Sequence, residues 1–135
     1  MAYKWSDDLR TDNMKIDTEH KELIKAINNL LEACNQGKGR VEIEKTINFL
    51  SSYTKTHFRH EEVLQIKYNY PDYNNHKKNH QNFIGTVESI REKLIANGPS
   101  IAIVGEVNNK VGNWIINHIK KEDAKVATHI RNNTK

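Results

Sequence analysis

Apolar residues recur at intervals of three and four in four successive stretches of the chain, and no stretch alternates with period two, so the pattern predicts helices and no sheet. In the first stretch Ile16, His20, Leu23, Ile24, Ile27, Leu30, Leu31 and Cys34 fall on one face, which predicts a helix over about residues 17–36 that Gly37 stops. The second carries Ile43, Ile47, Leu50, His57, Glu61, Leu64 and Tyr68; Pro71 restricts its own predecessor, so this helix should occupy about 41–69. The third, over about 72–96, carries Tyr73, His76, His80, Phe83, Val87, Ile90 and Leu94 and meets Gly98-Pro99. Ser100 is a good N-cap for a fourth helix over about 101–131, with Val104, Val107, Val111, Trp114, Ile115, His118, Ile119, Val126 and Ile130 on its face. Four such helices with short connections predict an all-α fold. The expected architecture is one domain over 1–135, an antiparallel up-down-up-down four-helix bundle behind a short N-terminal arm.

Composition changes this picture only at histidine. Leu, Ile, Val and Phe make up 32 of the 135 residues, about 24%, above the roughly 20% below which charged chains stay disordered. The longest uninterrupted apolar stretch is Ile101-Ala102-Ile103-Val104, and the opening Met1-Ala2-Tyr3-Lys4-Trp5 lacks the hydrophobic segment of a signal peptide. A cytoplasmic protein without a membrane partner is expected. The net charge of +4 is spread along the chain, which favours solubility over nucleic-acid binding. The single Cys34 cannot pair internally and reads as a small buried apolar residue. Seven histidines, by contrast, outnumber Phe and Met together.

His20, His57, Glu61, His76, His80 and His118 all fall on the apolar stripes. Burying an unpaired polar group costs a few kcal/mol, and an unpaired carboxylate more, so six of them from four helices must satisfy one another or a cation. His57 and Glu61 are four apart, as are His76 and His80, which places each pair on one helix face a turn apart. His118 and Asp123 are five apart, about 140° around an ideal α-helix, so spacing does not select Asp123. His60 points about 60° off the ligand stripe and His129 sits in the basic C-terminal tail, so both read as surface residues.

The donor set narrows the metal. No Glu is followed three residues later by His, which disfavours the ferritin-like di-iron class. Five imidazoles exceed what one tetrahedral zinc can use, and one cysteine excludes iron–sulfur ligation. Two metal ions are implied, and imidazole with bridging carboxylate makes iron the best single choice.

With these residues in view, the chain resembles the bacterial hemerythrins. The matching pieces are Ile16-Asp17-Thr18-Glu19-His20, then His57-Phe58-Arg59-His60-Glu61-Glu62, then Tyr70-Pro71-Asp72-Tyr73 with His76, His80 and Phe83, and finally Trp114-Ile115-Ile116-Asn117-His118-Ile119 with Asp123. The resemblance spans nearly the whole chain. It implies that His76, His80 and His118 bind one iron and His20 and His57 the other, with Glu61, Asp123 and an oxo or hydroxo group bridging them. The second iron then keeps one open position, where dioxygen binds reversibly for storage, transport or delivery.

Phe58, Phe83, Trp114, Ile115 and Ile119 lie beside those ligands in sequence and are expected to wall a dry oxygen pocket. Two positions depart from the family pattern. Gln65, a turn after Glu61, stands where Met is expected, and Ile115, stiff at χ1, where Leu is common. An open di-iron position is also compatible with peroxidase or oxidase chemistry or with oxygen sensing, but no general base, electron-donor domain or output domain is evident. The expectation is therefore a binding protein and not an enzyme, with dioxygen as ligand and a redox or oxygen-accepting protein as its remaining partner class.

Overall fold

The computed structural model describes residues 3–133; Met1 and Ala2 of the expected arm, and Thr134 and Lys135, lie outside the described residues. Three helices, α1 (Met14–Asn35), α2 (Gly39–Lys67) and α3 (Tyr73–Asn97), are followed by a fourth rod of helical backbone, and no strand occurs among the described residues. Short loops turn each rod back on the last, giving an antiparallel four-helix bundle.

The helix ends differ from the sequence expectation where side chains supply caps. α1 begins three residues early because the Asn13 side chain accepts a hydrogen bond from the Ile16 amide at 3.0 Å. It closes at Gly37, whose φ of +72° is left-handed. A Cβ at Gly39 would stand 2.6 Å from Cys34 Sγ, so the absence of a side chain lets α2 start against the end of α1. Cys34 itself is only half-buried at this edge, not inside the core as its stripe position predicts, because the stripe runs out into the turn. Ser100 caps the fourth rod by accepting from the Ile103 amide at 3.2 Å.

That fourth rod is not one uniform α-helix. Ile101–Glu106, Asn113–His118 and Ala124–Asn132 are α-helical, whereas Val107–Gly112 and Ile119–Asp123 are π-helical, with hydrogen bonds between residues five apart. Each π stretch absorbs a residue that would otherwise rotate the following stripe off the core.

The bundle divides along its length. Leu23, Ile27 and Leu30, Ile43, Ile47 and Leu50, Val87 and Ile90, and Val107 and Val111 fill the half nearest the 36–38 and 98–100 loops. Each such side chain contributes about 1.5–3 kcal/mol by burial. The other half holds the buried histidines and acids. The N-terminal arm binds across α1 and the fourth rod: the Tyr3 amide donates to Asn28 Oδ1 (2.8 Å), Asn28 Nδ2 donates to the Tyr3 carbonyl (2.7 Å), and the Tyr3 hydroxyl donates to Asn113 Oδ1 (2.8 Å).

Candidate metal centre

All seven polar residues expected at the centre converge in the polar half: His20 from α1, His57 and Glu61 from α2, His76 and His80 from α3, and His118 and Asp123 from the fourth rod. None is more than 6% exposed. One donor atom from each of Glu61, His76, His80, His118 and Asp123 lies within 4.8 Å of every other, and the same holds for His20, His57 and Glu61. Glu61 belongs to both groups. Asp123 joins them as well, with Oδ1 at 3.2 Å from His76 Nε2 and 3.3 Å from His118 Nε2, and Oδ2 at 3.1 Å from His20 Nε2. Glu61 Oε1 stands 3.1 Å from His57 Nε2 and 3.6 Å from His80 Nε2. Each carboxylate thus spans the gap between the two imidazole groups.

Asp123, the residue that spacing did not select, is brought in by the π-helical stretch Ile119–Asp123. In π-helical backbone the residue five positions on stands beside its partner, where an α-helix would place it about 140° away.

Two observations fit this set to metal ions. His20 Nε2, Glu61 Oε1 and both Asp123 oxygens are buried with only one another and the neighbouring imidazoles beside them and without hydrogen-bond geometry, and His20 Nδ1 is buried with no hydrogen bond, a set that a cation would complete. His118 Nε2 also lies 3.1 Å from His76 Nε2 and 3.2 Å from His80 Nε2. Adjacent ligands around an octahedral ion with bonds of about 2.1 Å are about 3.0 Å apart, against about 3.4 Å for a tetrahedral one. An N–H···N hydrogen bond accounts for one such contact, but three imidazole nitrogens converging on one point at these distances also match the edge of a metal coordination shell.

The ring orientations are set from behind. His57 Nδ1 donates to Glu19 Oε1 at 2.8 Å and His80 Nδ1 donates to Glu62 Oε2 at 3.0 Å. A carboxylate only accepts, so both imidazoles keep a proton on Nδ1, and Nε2 is the nitrogen that faces inward and is available to a metal. The other Glu19 oxygen accepts from His60 Nδ1 at 2.6 Å, so His60, although partly solvated as expected, belongs to this outer network. Sequence reasoning missed Glu19 and Glu62. Glu19 carried a signal, since it lies three residues after Ile16 and four before Leu23 on the buried stripe of α1. His129 donates from Nε2 to the Tyr68 carbonyl at 2.7 Å, away from the centre.

Burial and neighbouring charge pull on these side chains in opposite directions. Burial opposes charge on His20, but Asp123 and Glu61 beside Nε2 outweigh it and push the pKa up to about 10. His57 is pushed up to about 9 in the same way, its burial outweighed by Glu61 and Glu19. Burial pushes His80 down to about 3, with His76 and His118 opposing the pull of Glu61. Glu61 falls to about 2 despite burial and the neighbouring Asp123, because His57 and His20 hold it ionised.

Beside the cluster lies a cavity of about 10 Å³, room for one water-sized molecule. Its wall includes all five expected pocket residues, Phe58, Phe83, Trp114, Ile115 and Ile119, together with Leu23, Thr54 and the site residues His20, His57, His118 and Asp123. The aromatic rings lie against imidazoles: Phe58 stacks on His80 at 3.8 Å and Trp114 on His118 at 4.3 Å. The Thr54 hydroxyl, which the sequence reading did not place here, donates to the Leu50 carbonyl at 2.6 Å and so withholds its proton from the cavity. Gln65 is fully buried with neither amide atom hydrogen-bonded, and it does not line this cavity.

Comparison with known proteins agrees with this geometry. Residues 12–130 match the family model described as hemerythrin HHE cation binding domain. A bacteriohemerythrin of Pseudomonas aeruginosa is 35% identical over 127 residues, covering 94% of this chain and 80% of that protein. A myohemerythrin of Theromyzon tessulatum is 31% identical over 126 residues, covering 91% of this chain and 89% of that one. A crystal structure of a point-substituted protein superposes with a TM-score of 0.82 at 27% identity, covering 96% of this chain and 98% of that one.

Proposed function

Since this chain belongs to the hemerythrin family, we propose that it binds dioxygen reversibly at a di-iron centre held by the seven clustered residues. His76, His80 and His118 would hold one iron and His20 and His57 the other, with Glu61 and Asp123 in reach of both. When bound, the two ferrous ions supply the two electrons that dioxygen binding draws on.

The chain's own residues make the binding selective and reversible. Glu19 and Glu62 hold His57 and His80 with Nε2 facing inward, so the ligand rings need no reorientation. Phe58, Phe83, Trp114, Ile115 and Ile119 exclude water and leave space only for a very small ligand. No side chain of that wall points a free acidic proton inward, because the Thr54 hydroxyl is committed to Leu50. Without a proton source a reduced oxygen species has no easy route out as hydrogen peroxide, which disfavours turnover. The observation that carries the reading is the pairing of two donor groups sharing Glu61 and Asp123 with a cavity of about 10 Å³.

The test is to cycle the iron-loaded, reduced protein between oxygen and argon while following the visible charge-transfer absorption. The expected result is a band that appears under oxygen and disappears under argon over repeated cycles, in protein carrying two irons per chain. A band that never forms, or one that decays to the oxidised spectrum within the first cycle, overturns the reading; so does predominant zinc in protein expressed with iron.

A further inference from the structure

A second, larger cavity reaches the same centre from the end of the bundle where the arm crosses. It holds about 270 Å³, and its wall includes Asp12 of the arm, Glu61 and Leu64 of α2, and Asp123, Ala127 and Arg131 of the fourth rod. Glu61 and Asp123 form its inner end, both at least nine-tenths buried and with oxygens that no hydrogen bond satisfies. Its mouth is crossed by a strap: Arg131 Nη1 donates to Asp12 Oδ2 at 2.6 Å, and Arg10 Nη2 donates to Asp12 Oδ1 at 3.2 Å. Asp12 adopts φ +65°, a left-handed conformation that lets the arm bend over the opening.

We infer that this cavity is the route by which divalent iron enters and leaves the centre, separate from the apolar cavity that takes dioxygen. The inference rests on the metal reading of the seven-residue cluster. The two cavities differ in the chemistry they admit. On the way into the smaller one, Leu23, Phe58, Phe83, Trp114, Ile115 and Ile119 would have to strip a dication of its water before it reached Asp123, with only the Thr54 hydroxyl to offer oxygen in return, which is prohibitive. The larger one has room for a chain of waters, and its four charged groups, Asp12, Glu61, Asp123 and Arg131, sum to −2, the complement of one dication. An ion entering by this path exchanges water for carboxylate oxygen at Asp123 and Glu61, the two residues that reach both imidazole groups. Either half of the centre can therefore be filled from one door.

Iron release from the loaded, reduced chain to an excess of a ferrous chelator tests the route. Ala127→Leu places extra bulk in the cavity with a good helix former, and the expected result is release slowed by about threefold or more, with iron content and the oxygen band unchanged. Arg131→Ala unfastens the strap and should speed release. Ile115→Phe narrows the small cavity and should slow oxygen binding while leaving iron release as it is. Ile47→Val, a mild destabilisation far from both cavities, should leave release unchanged. Release in Ala127→Leu at the native rate, or a rate that follows stability in Ile47→Val, overturns the route alone. A native chain that holds no iron overturns the reading of the centre and the route with it.

Discussion

At the scale of single residues, the outer carboxylates are the clearest test of how the centre is held. Glu19 accepts from His57 and His60 at once, so Glu19→Gln replaces a two-way acceptor by an amide that can serve at most one ring as acceptor. Loss of such a partner typically costs 10- to 100-fold in metal affinity. That loss should appear in a chelator competition titration of Glu19→Gln, whereas His60→Ala, which removes only the outermost ring, should keep two irons per chain. Gln65 is the opposite case. Its amide is buried with both atoms unpaired, so Gln65→Met should stabilise the fold by about 1–3 kcal/mol, read as a higher denaturation midpoint. Burial of Gln65 was legible in its position one turn beyond Glu61. That nothing answers its hydrogen bonds was not, because partners come from other helices.

At the scale of elements, three rods follow their sequence stripes and the fourth shows where a stripe misleads. His20, His57, Glu61, His76, His80 and His118 were legible because four core-facing runs each carried polar groups that an apolar interior would not tolerate alone. Asp123 was not, since the count from His118 assumes 3.6 residues per turn and the backbone between them is π-helical. Side chains that cap or back up another helix, such as Asn13, Glu19 and Glu62, leave only a weak trace in sequence, because their partners are remote or lie outside the periodic face. The other π stretch ends at Gly112, against which the arm packs. A Cβ there would meet Tyr3 Cε2 at 3.0 Å and Ile27 Cγ2 at 3.2 Å, while removing glycine from a helix interior favours the fold by about 1 kcal/mol. The two effects separate in a double-mutant cycle. Gly112→Ala should be less favourable in the native background than in Tyr3→Ala by about 1 kcal/mol, read from denaturant unfolding, and a coupling of zero would mean that the arm does not bear on the helix.

At the scale of the whole molecule, one half of the bundle is stable by apolar burial and the other depends on what sits among its charges. Removing the metal leaves five imidazoles and two carboxylates facing one another, so the metal-free chain should melt below the loaded one. It should also respond to pH in a way that follows from which groups take up protons. His20 and His57 are raised to about 10 and about 9, so their stabilisation is complete below the unfolded value of 6.5 and is lost as pH rises through 9 and 10. His80 is lowered to about 3, so below 6.5 the unfolded chain binds a proton that the folded one refuses, and stability falls on that side too. Glu61, held down to about 2, adds a further loss as pH drops from 4.5 toward 2. The metal-free chain is therefore expected to be most stable near pH 6.5, with its melting temperature falling on both sides. Metal competes with protons for the same nitrogens, so iron binding should strip the protons that stabilise His20 and His57 and release them to solvent. Calorimetric melts of metal-free and loaded protein from pH 4 to 10 check this directly. A metal-free melting temperature that is flat across neutral pH, or unchanged by adding iron, would mean that these seven side chains are satisfied by one another and that no cation is needed to hold the polar half together.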